Sequence, residues 1–285
     1  MPQLLTILQK AGEFLHEKGS LSPRLDAEVL LADVLGMQRI ELYANYDRPL
    51  VKKELDAYRQ VIARRGKLEP VAYITGKKEF YSREFSVNSQ ELIPRPDTEL
   101  LVEKVLGYLE SFTIPNPDIL DLCTGSGAIG ITLALEVEGA SVTATDISPG
   151  ALSVARENAE GLAAKVDFIE GDLYANLTKK FDVIVANPPY IASKEWETLE
   201  PNVKLYEPQL ALVGGEDGLA FYRRIIEESP KYLKDAGAMF LEIGETQAAE
   251  VAKIAENVGV CAKAMVAKDL AGKNRVVFLK RQRGN

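Results

Sequence analysis

The residues of greatest chemical interest follow an apolar run. In FDVIVANPPYIAS, residues 181–193, the apolar side chains give way to Asn187, Pro188, Pro189 and Tyr190. The Asn187 amide can accept from a substrate NH2 group and donate to a neighbouring carbonyl. Pro188 biases Asn187 toward an extended conformation, and its own carbonyl is a second acceptor. Two acceptors orient the weakly nucleophilic nitrogen of the substrate and stabilise the positive charge that develops on it during transfer. Tyr190 offers a π face to the substrate plane or to the cationic centre.

A structural explanation of the same tetrapeptide is that it merely turns the chain after a buried strand, because Asn and Pro are common in turns. By composition, NPPY is expected in on the order of one chain in a thousand of this length. Its position at the end of an apolar run makes chance a weak explanation. We therefore predict that Asn187, Pro188 and Tyr190 are catalytic, and that all four residues contact the substrate.

A glycine-rich turn precedes this motif in the chain. ILDLCTGSGAIGITLALE contains Gly125, Gly127 and Gly130 in the spacing GxGxxG between a strand and a helix pattern. Glycines in this spacing let a ligand approach the backbone. Asp146 follows about 20 residues later, where a carboxylate accepts hydrogen bonds from both ribose hydroxyls. These features fit a nicotinamide enzyme and an S-adenosylmethionine (SAM) enzyme equally well, and a purely structural turn is a third alternative.

Two further carboxylates favour SAM. Asp121 precedes the turn, where it can hold the methionine ammonium or order the loop, whereas a pyrophosphate would repel it. Asp172 closes the next strand pattern, where it can accept from the adenine amino group or cap a helix. Cys123 in the turn raises the question of a nucleophile. The single histidine of the chain, His16, is more than 100 residues away in the sequence, so no histidine is evident that would activate the thiol. We therefore predict that Cys123 only borders the cofactor.

The composition restricts the class of protein. The 285 residues are 46% hydrophobic and 27% charged, with a formal net charge of -8, as expected for a globular protein without an extended phosphate-binding face. No segment has the pattern of a signal peptide or a membrane span. Two cysteines and one histidine provide neither a disulfide framework nor a zinc site. We expect a cytoplasmic protein without a metal, a membrane association or direct nucleic-acid binding.

The pattern of elements changes along the chain. Residues 1–78 have helix signals, including Ser22 as N-cap, Pro23 at the first helical position and Gly36 as C-terminal stop, and they predict a small all-helical domain. Residues 79–93 predict an extended or hairpin linker. Residues 94–285 alternate helices with seven apolar runs, which predicts a doubly wound α/β domain that binds ligands at the carboxyl ends of its strands. The seven runs are DILDL, ASVTATD, KVDFIE, FDVIVAN, AMFLEI, VCAKAMV and RVVFLK.

Several motifs together resemble those of the PrmC/HemK family, the glutamine methyltransferases of peptide-chain release factors. They are LIPRPDTE, DLCTGSGAIG, ATDIS, NPPYI, YEPQLALVGGEDGL and KDLAGKNRVV, and they span most of the chain. The resemblance implies a seven-stranded, Rossmann-like, SAM-dependent methyltransferase domain. Its substrate is then the glutamine of the Gly-Gly-Gln loop in class I release factors, recognised with the help of the helical domain.

The resemblance also implies roles for individual residues. Leu173 borders the adenine, Asn187 borders both ligands, and Arg95, Thr98 and Glu99 lie near the entrance, although Asp97 or Thr98 could instead cap a helix. Cys123 stands where the family usually has glycine. The full set predicted to contact the cofactor is Asp121, Cys123, Thr124, Gly125, Ser126, Gly127, Asp146, Asp172, Leu173 and Asn187.

Three other functions compete with methylation of a protein glutamine. NPPY also suits a nucleic-acid amino methyltransferase acting on adenine or guanine, but the acidic charge and the lack of a large recognition domain oppose it. GxGxxG alone supports a nicotinamide oxidoreductase. The third alternative is a regulatory module that only binds SAM. NPPY argues against it, because binding SAM does not require residues that hold a substrate NH2 group. We expect a monomer with a release factor as its partner.

Overall fold

The structure is a computed structural model that describes residues 2–261 and 263–281. The chain forms two compact units. The first comprises Met1–Lys77 and Glu200–Tyr206, and the second comprises Lys78–Leu199 and Glu207–Asn285. The first unit is therefore built from two separate stretches of the chain.

Helices occupy both units and strands only the second, apart from the end residue of one strand. The helices are α1 Leu4–Glu17, α2 Pro23–Leu35, α3 Arg39–Ala44, α4 Lys52–Arg65, α5 Val71–Thr75, α6 Glu99–Phe112, α7 Ala128–Glu136, α8 Pro149–Gly161, α9 Pro201–Tyr206, α10 Ala220–Tyr232 and α11 Ala248–Val258. The strands are β1 Lys77–Phe80, β2 Arg83–Ser86, β3 Asp118–Leu122, β4 Ser141–Asp146, β5 Val166–Glu170, β6 Phe181–Ala186, β7 Leu233–Glu242, β8 Met265–Lys268 and β9 Asn274–Lys280.

The residues predicted to begin and end helices in the first unit do lie at helix ends, but not all of them act in the predicted way. Pro23 is the first residue of α2, and Gly36 ends the helix with a left-handed φ of 61°, as a C-terminal glycine does. Ser22 stands at the N-cap without a side-chain capping bond. Gly66 after α4 has a φ of -63°, and a Cβ there would lie 2.7 Å from Cε1 of Phe14. Gly66 therefore provides space for Phe14, not a left-handed turn.

A buried charged network joins α2 to α4. The Asp26 carboxylate accepts hydrogen bonds from Arg65 Nε at 2.7 Å and from the Ser20 hydroxyl at 2.6 Å. The Arg65 and Asp26 side chains are only 10% and 11% exposed. Arg65 also donates to the Glu69 carbonyl at 3.2 Å. Because neither charge can be solvated well alone, each depends on the other.

The segment predicted as a linker contributes to the core of the second unit. Strands β1 and β2 form a two-stranded hairpin, and its turn residues Tyr81 and Ser82 have φ values of 49° and 58°. Two successive left-handed residues match the twist of a tight hairpin. Phe80 and Phe85 are fully buried and pack edge to face with ring centres 6.0 Å apart.

The main sheet of the second unit has seven strands in the order β5-β4-β3-β6-β7-β9-β8. The first five are parallel, and β9 is antiparallel to both β7 and β8. The predicted seven-stranded, Rossmann-like α/β architecture is confirmed. The chain order reverses between β3 and β6, where Asp121 pairs with Val185 and Leu122 with Ala186. Such a reversal leaves a crevice at the carboxyl ends of the two strands.

The strand predicted at VCAKAMV is largely wrong. Gly259 ends α11 with a φ of 74°, and strand β8 begins only at Met265. Val260 and Cys261 are both buried in the same core cluster. Consecutive strand residues point to opposite faces, so two neighbours on one core do not fit a strand. Residue 262 of this run lies outside the described residues.

Within residues 2–261 and 263–281, no helix is long and apolar enough to cross a bilayer. The same residues contain no group of three or more histidine, cysteine, aspartate or glutamate side chains arranged to hold a metal ion.

The buried network predicts a large effect of Asp26→Ala on stability. The substitution leaves the Arg65 guanidinium buried without its carboxylate, and we expect the free energy of unfolding to fall by about 3 to 5 kcal/mol. Urea titration followed by circular dichroism measures it. The matched control is Asp56→Ala, which removes an aspartate that is 44% exposed and pairs with Lys52 and Arg59, at an expected cost below about 1 kcal/mol. Equal losses of unfolding free energy in the two variants would show that the burial of the Asp26–Arg65 pair does not determine its contribution to stability.

Candidate active site

A cavity of about 390 Å³ lies at the carboxyl ends of β3, β4 and β6 and over the turn after β5. Eleven predicted residues line it, namely Arg95, Thr98, Cys123, Thr124, Gly125, Ser126, Asp146, Asp172, Leu173, Asn187 and Pro189. The other predicted residues are outside the lining: Glu99, Asp121, Gly127, Pro188 and Tyr190. The structure therefore brings most of the cofactor set and part of the substrate set to one cavity.

The glycine loop follows β3 and begins α7. Gly125 and Gly127 have φ values of 56° and 82°, a conformation that favours glycine. The Thr124 amide donates to the Thr145 carbonyl on the neighbouring strand at 3.0 Å. Asn158 holds the other side, because its Nδ2 donates to the Ser126 carbonyl at 2.9 Å. The loop is thus fixed by its neighbours before any ligand arrives.

Asp121, near the end of β3, holds this loop in place through hydrogen bonds. It is fully buried, and its Oδ2 accepts from the Thr124 hydroxyl at 2.5 Å and from the Gly130 amide at 2.9 Å. Burial raises the pKa of Asp121 to about 7, although these two hydrogen bonds act in the opposite direction. Its Oδ1 is buried and has no partner among the described residues. Of the two roles predicted for Asp121, ordering the loop is the one these contacts support.

Asp146 connects the loop to the end of β4. Its Oδ2 accepts from the Gly125 amide and its Oδ1 from the Ser148 amide, both at 2.9 Å. Burial raises the pKa of Asp146, and the backbone hydrogen bonds lower it in part. A carboxylate has about four acceptor positions. Since Asp146 uses two for the backbone and lines the cavity, it has acceptor capacity left for a pair of hydroxyls.

The turn after β5 carries an ion pair that the sequence did not predict. Asp172 Oδ2 accepts from Arg224 Nη2 at 2.8 Å, and both residues line the cavity. Asp172 caps no helix, which excludes that alternative. Leu173 has a φ of 56°, and its carbonyl accepts from the Thr145 hydroxyl at 3.0 Å. This bond holds the turn against β4.

Cys123 has a φ of 58°, a left-handed conformation that favours glycine. Cys123 is half-buried, and desolvation raises the pKa of its thiol well above the ordinary value. A thiol that keeps its proton is a poor nucleophile. Cys123 thus lines the cavity, and its place beside a cofactor stays a prediction.

Asn187 and Thr98 meet across the cavity. Asn187 Nδ2 donates to Thr98 Oγ1 at 3.4 Å. Burial raises the pKa of the neighbouring Glu242 carboxyl to about 7, and Thr98 is among the groups that lower it. Thr98 stands at the N-cap of α6 but makes no side-chain capping bond. Asp97 pairs with Arg275 at 3.0 Å. Neither Asp97 nor Thr98 caps a helix through its side chain, so that alternative is wrong.

The backbone after Asn187 is packed against two glycines of the GGEDGL segment. A Cβ on Gly214 would lie 2.4 Å from the Pro189 carbonyl oxygen, and one on Gly218 would lie 2.3 Å from the Tyr190 carbonyl oxygen. Gln247 Nε2 also donates to the Tyr190 carbonyl at 2.9 Å. Burial raises the pKa of the Tyr190 phenol to about 12. Only glycine permits this close approach, which fixes the NPPY backbone.

The two charged residues predicted near the entrance have different surroundings. Arg95 lines the cavity and pairs with Glu207 at 2.5 Å, and the Glu207 side chain is only 2% exposed. Glu99 is turned to the hairpin instead, because its Oε1 accepts from the Tyr81 amide at 2.9 Å. Arg95 thus faces the site, whereas Glu99 supports the hairpin.

Four contacting residues were missed from the sequence: Asn158, Glu207, Arg224 and Glu242. Glu242 carried a signal, since it is a carboxylate at the end of the apolar run AMFLE, the same pattern that drew attention to Asp146. Glu207 lies within a quoted motif but had no assigned role. Asn158 and Arg224 lie on helix faces, where polar residues are ordinary.

The lining fits SAM on its own chemistry. The cavity combines a glycine loop, two carboxylates with spare acceptor positions, and apolar side chains that include Leu173 and Phe221. The unpartnered Oδ1 of Asp121 adds an unsatisfied acceptor beneath the loop. Such a set suits a ribose, an amino group and an adenine ring.

Two family models match the chain. The PrmC N-terminal domain matches residues 6–76, and the methyltransferase small domain matches residues 96–201.

Full-length relatives are also found. The chain is 42% identical over 280 residues to the release factor glutamine methyltransferase of Geobacter sulfurreducens, covering 97% of each chain. It is 43% identical over 288 residues to the protein of the same name from Leptospira interrogans, covering 98% of each. A solved methyltransferase structure from Pyrococcus furiosus is similar with a TM-score of 0.54 at 17% identity, over 77% of this chain and 98% of that one. This last similarity concerns the fold alone.

The close packing of Gly214 predicts that Gly214→Ala impairs methyl transfer. The added methyl group would displace the Pro189 carbonyl and with it Asn187, and we expect turnover to fall by about 10²-fold, as a displacement near 1 Å can cause. Gly107→Ala is the control, because a Cβ at Gly107 in α6 meets nothing within 4 Å. Steady-state kinetics with SAM decides the matter. Normal turnover in Gly214→Ala would mean that the contact does not position NPPY.

Asp121 predicts a pH-dependent effect on stability. Its pKa is 3.8 ordinarily and about 7 when folded, so between about pH 4 and pH 7 the unfolded state loses its proton first. The contribution of Asp121 to the free energy of unfolding of the wild type therefore falls as pH rises through this window. Asn does not titrate, so we expect the stability of Asp121→Asn relative to wild type to rise from pH 4 to pH 8 by at least about 1 kcal/mol.

Denaturant titrations at both pH values measure this difference. Asp167→Asn, which replaces an exposed aspartate of β5, controls for the loss of one negative charge. A relative stability of Asp121→Asn that stays constant or decreases with pH contradicts the prediction.

Proposed function

The chain belongs to the family of release factor glutamine methyltransferases, and we propose that it methylates the side-chain amide nitrogen of a glutamine in a peptide-chain release factor. The observation that carries the proposal is the position of Asn187 at the cavity, with its amide NH2 bonded to Thr98. The Asn187 oxygen is then the atom left for a substrate. The Gly-Gly-Gln loop of class I release factors is the specific substrate that we propose.

The chemistry of transfer is supplied by SAM, which carries a methyl group on a sulfonium sulfur. The chain's own residues hold and orient the amide nitrogen. No described residue donates to Asn187 Oδ1 or to the Pro188 carbonyl. Asn187 lines the cavity and Pro188 lies outside its lining, and the proposal is that their two oxygens accept the two hydrogens of a substrate NH2 group. Holding both hydrogens directs the nitrogen lone pair away from its carbonyl. The two oxygens also stabilise the positive charge that develops on nitrogen.

No general base is required before the attack, because the nitrogen becomes strongly acidic once it is methylated. This agrees with a cavity lined by no histidine. Tyr190 is half-buried, lies outside the cavity lining and packs against the core of the second unit. Its raised pKa keeps the phenol protonated at neutral pH, so Tyr190 acts by shape and not as a base.

The helical part of the chain is proposed to recognise the body of the protein substrate. The bounds predicted from the sequence were residues 1–78 for a recognition domain, 79–93 for a linker and 94–285 for a methyltransferase domain. In the structure, the hairpin within 79–93 packs in the second unit, and Glu200–Tyr206 belong to the first unit. The proposed recognition is supported by apolar side chains that the first unit leaves in solvent: Leu21, Leu25, Ile40 and Tyr43 are exposed by 40% or more of their surface. Large apolar side chains left in solvent are available for contact with a partner protein.

Three further features remain predictions from the sequence: a cytoplasmic location, a monomeric state and the lack of direct nucleic-acid binding. The alternative of a nucleic-acid amino methyltransferase is opposed by the formal net charge of -8, since a phosphate backbone attracts positive surfaces.

The acceptor role of Asn187 predicts severe loss of activity in two variants. Asn187→Ala removes one of the two acceptors, and we expect turnover on release factor to fall by about 10²- to 10³-fold. Asn187→Asp keeps an acceptor oxygen but loses the NH2 group that bonds Thr98, and we expect it to be strongly impaired too. Calorimetry is expected to show that SAM affinity changes less than about tenfold in both.

The proposed substrate is tested by transfer of a labelled methyl group from SAM to purified release factor, DNA and ribosomal RNA in parallel. Release factor whose loop glutamine is replaced by alanine is the matched control. Label on intact release factor alone supports the proposal. Label on either nucleic acid, or equal label on the alanine-substituted factor, would refute it.

A further inference from the structure

We propose that Gln247 is a positioning residue that holds the NPPY backbone in the site. The proposal rests on the proposed function, because the position of this backbone affects turnover only if Asn187 and Pro188 hold the substrate amide. Gln247 stands at the N-cap of α11 and lies outside the lining of the cavity. It therefore acts through other residues and not on a ligand.

The NPPY segment has few groups of its own with which to anchor its backbone. Pro188 and Pro189 have no N–H group and cannot donate a hydrogen bond. Strand β6 ends before them at Ala186, and beyond them the Ile191 amide donates to the Leu212 carbonyl at 2.9 Å. The two prolines between these anchors make the segment dependent on donors that other elements supply.

Gln247 supplies such donors from its side chain. Its Nε2 donates to the Tyr190 carbonyl at 2.9 Å and to the Gly218 carbonyl at 3.3 Å. Its Oε1 accepts from the Gly244 amide at 2.9 Å. One side-chain amide thus ties the NPPY segment to the GGEDGL segment and to the turn between β7 and α11.

These partners leave the Gln247 amide a single orientation. A backbone carbonyl can only accept and a backbone N–H can only donate, so the NH2 group must face the two carbonyls and the oxygen must face Gly244. The space around the amide is also narrow. A Cβ on Gly218 would lie 2.8 Å from Nε2, and one on Gly244 would lie 3.0 Å from Oε1. The amide therefore has little freedom to move, and the Tyr190 carbonyl is held with it.

A fixed Tyr190 carbonyl determines the path of the residues before it. Each proline ring locks φ at about -65°, so few torsions between Tyr190 and Asn187 can adjust. No backbone N–H of the described residues donates to the Tyr190 carbonyl. Without Gln247 this carbonyl is released, and the segment can shift. Such a shift moves Asn187 Oδ1 and the Pro188 carbonyl, the two oxygens proposed to hold the substrate nitrogen.

The test is a double-mutant cycle between Gln247 and Asn187. Gln247→Met removes all three hydrogen bonds at similar side-chain length. We expect turnover on release factor to fall at least tenfold, because a displacement of about 1 Å can cost about 10²-fold, with SAM affinity changed less than threefold. In an Asn187→Ala background we expect the further fall to be at least threefold smaller, since one of the two positioned oxygens is already gone. Equal fold losses in the two backgrounds would overturn the proposal.

Gly244→Ala is a milder variant that keeps the Gln247 side chain and serves if Gln247→Met does not fold. Gly244 has no positive φ, so alanine suits its backbone, but the added Cβ lies 3.0 Å from Gln247 Oε1. The amide must then move by a few tenths of an ångström, and we expect turnover to fall about threefold or more. The control is Lys253→Met on the exposed face of α11, which is expected to keep wild-type turnover. Equal turnover in Gly244→Ala and the control would overturn the proposal.

A third measurement needs no substrate. The side-chain NH2 signals of Asn187 in nitrogen-15 NMR are assigned by their absence in Asn187→Ala. We expect them to shift in Gln247→Met and to keep their wild-type positions in Lys253→Met, because only the first variant releases the Tyr190 carbonyl. Unshifted signals in Gln247→Met would overturn the proposal. If release factor is not methylated at all, the proposed function fails, while this measurement still decides whether Gln247 positions Asn187.

Discussion

The pairing of β3 with β6 is the constraint on which the site depends. These two parallel strands are neighbours in the sheet although about 60 residues separate them in the chain, and their last residues stand side by side. The glycine loop follows the end of β3, and Asn187 follows the end of β6. The register of the two strands therefore brings the loop and the Asn187 amide to the same edge of the sheet. A slip by one residue would turn every side chain of the strand to the opposite face. The chemistry of the site thus rests on a hydrogen-bonded ladder that itself contacts no ligand.

Most of the fold could be predicted from the sequence because its signals are local. Short apolar runs that alternate with helix patterns indicate the strands of an α/β sheet. Ser22, Pro23 and Gly36 correctly marked the two ends of α2. VCAKAMV failed because an apolar run after a helix end is equally well explained by residues that dock on the core, and Val260 and Cys261 do so. Periodicity cannot separate these two cases over so few residues.

The site was predicted only where a residue interacts with its own strand end or loop. Asp146 and Asn187 follow directly from their places after apolar strands. Asn158, Glu207 and Arg224 reach the site from distant elements, and their partners are known only once the chain is folded. The role of the glycines in GGEDGL belongs to the same class. Gly214 and Gly218 looked like turn residues, yet the distances to the Pro189 and Tyr190 carbonyls show that they are required by a neighbour far away in sequence.

The discontinuous first unit has a consequence for the order in which the protein folds during synthesis. Residues up to Lys77 leave the ribosome first, but the unit also contains Glu200–Tyr206, where the Tyr206 hydroxyl donates to the Lys67 carbonyl at 2.9 Å. About 130 further residues must therefore be made before the first unit is complete. At about 5 to 20 residues per second this takes roughly 6 to 26 seconds. During that interval the helices must persist without their last partner, so the first domain to be synthesised becomes complete only when most of the second has been made.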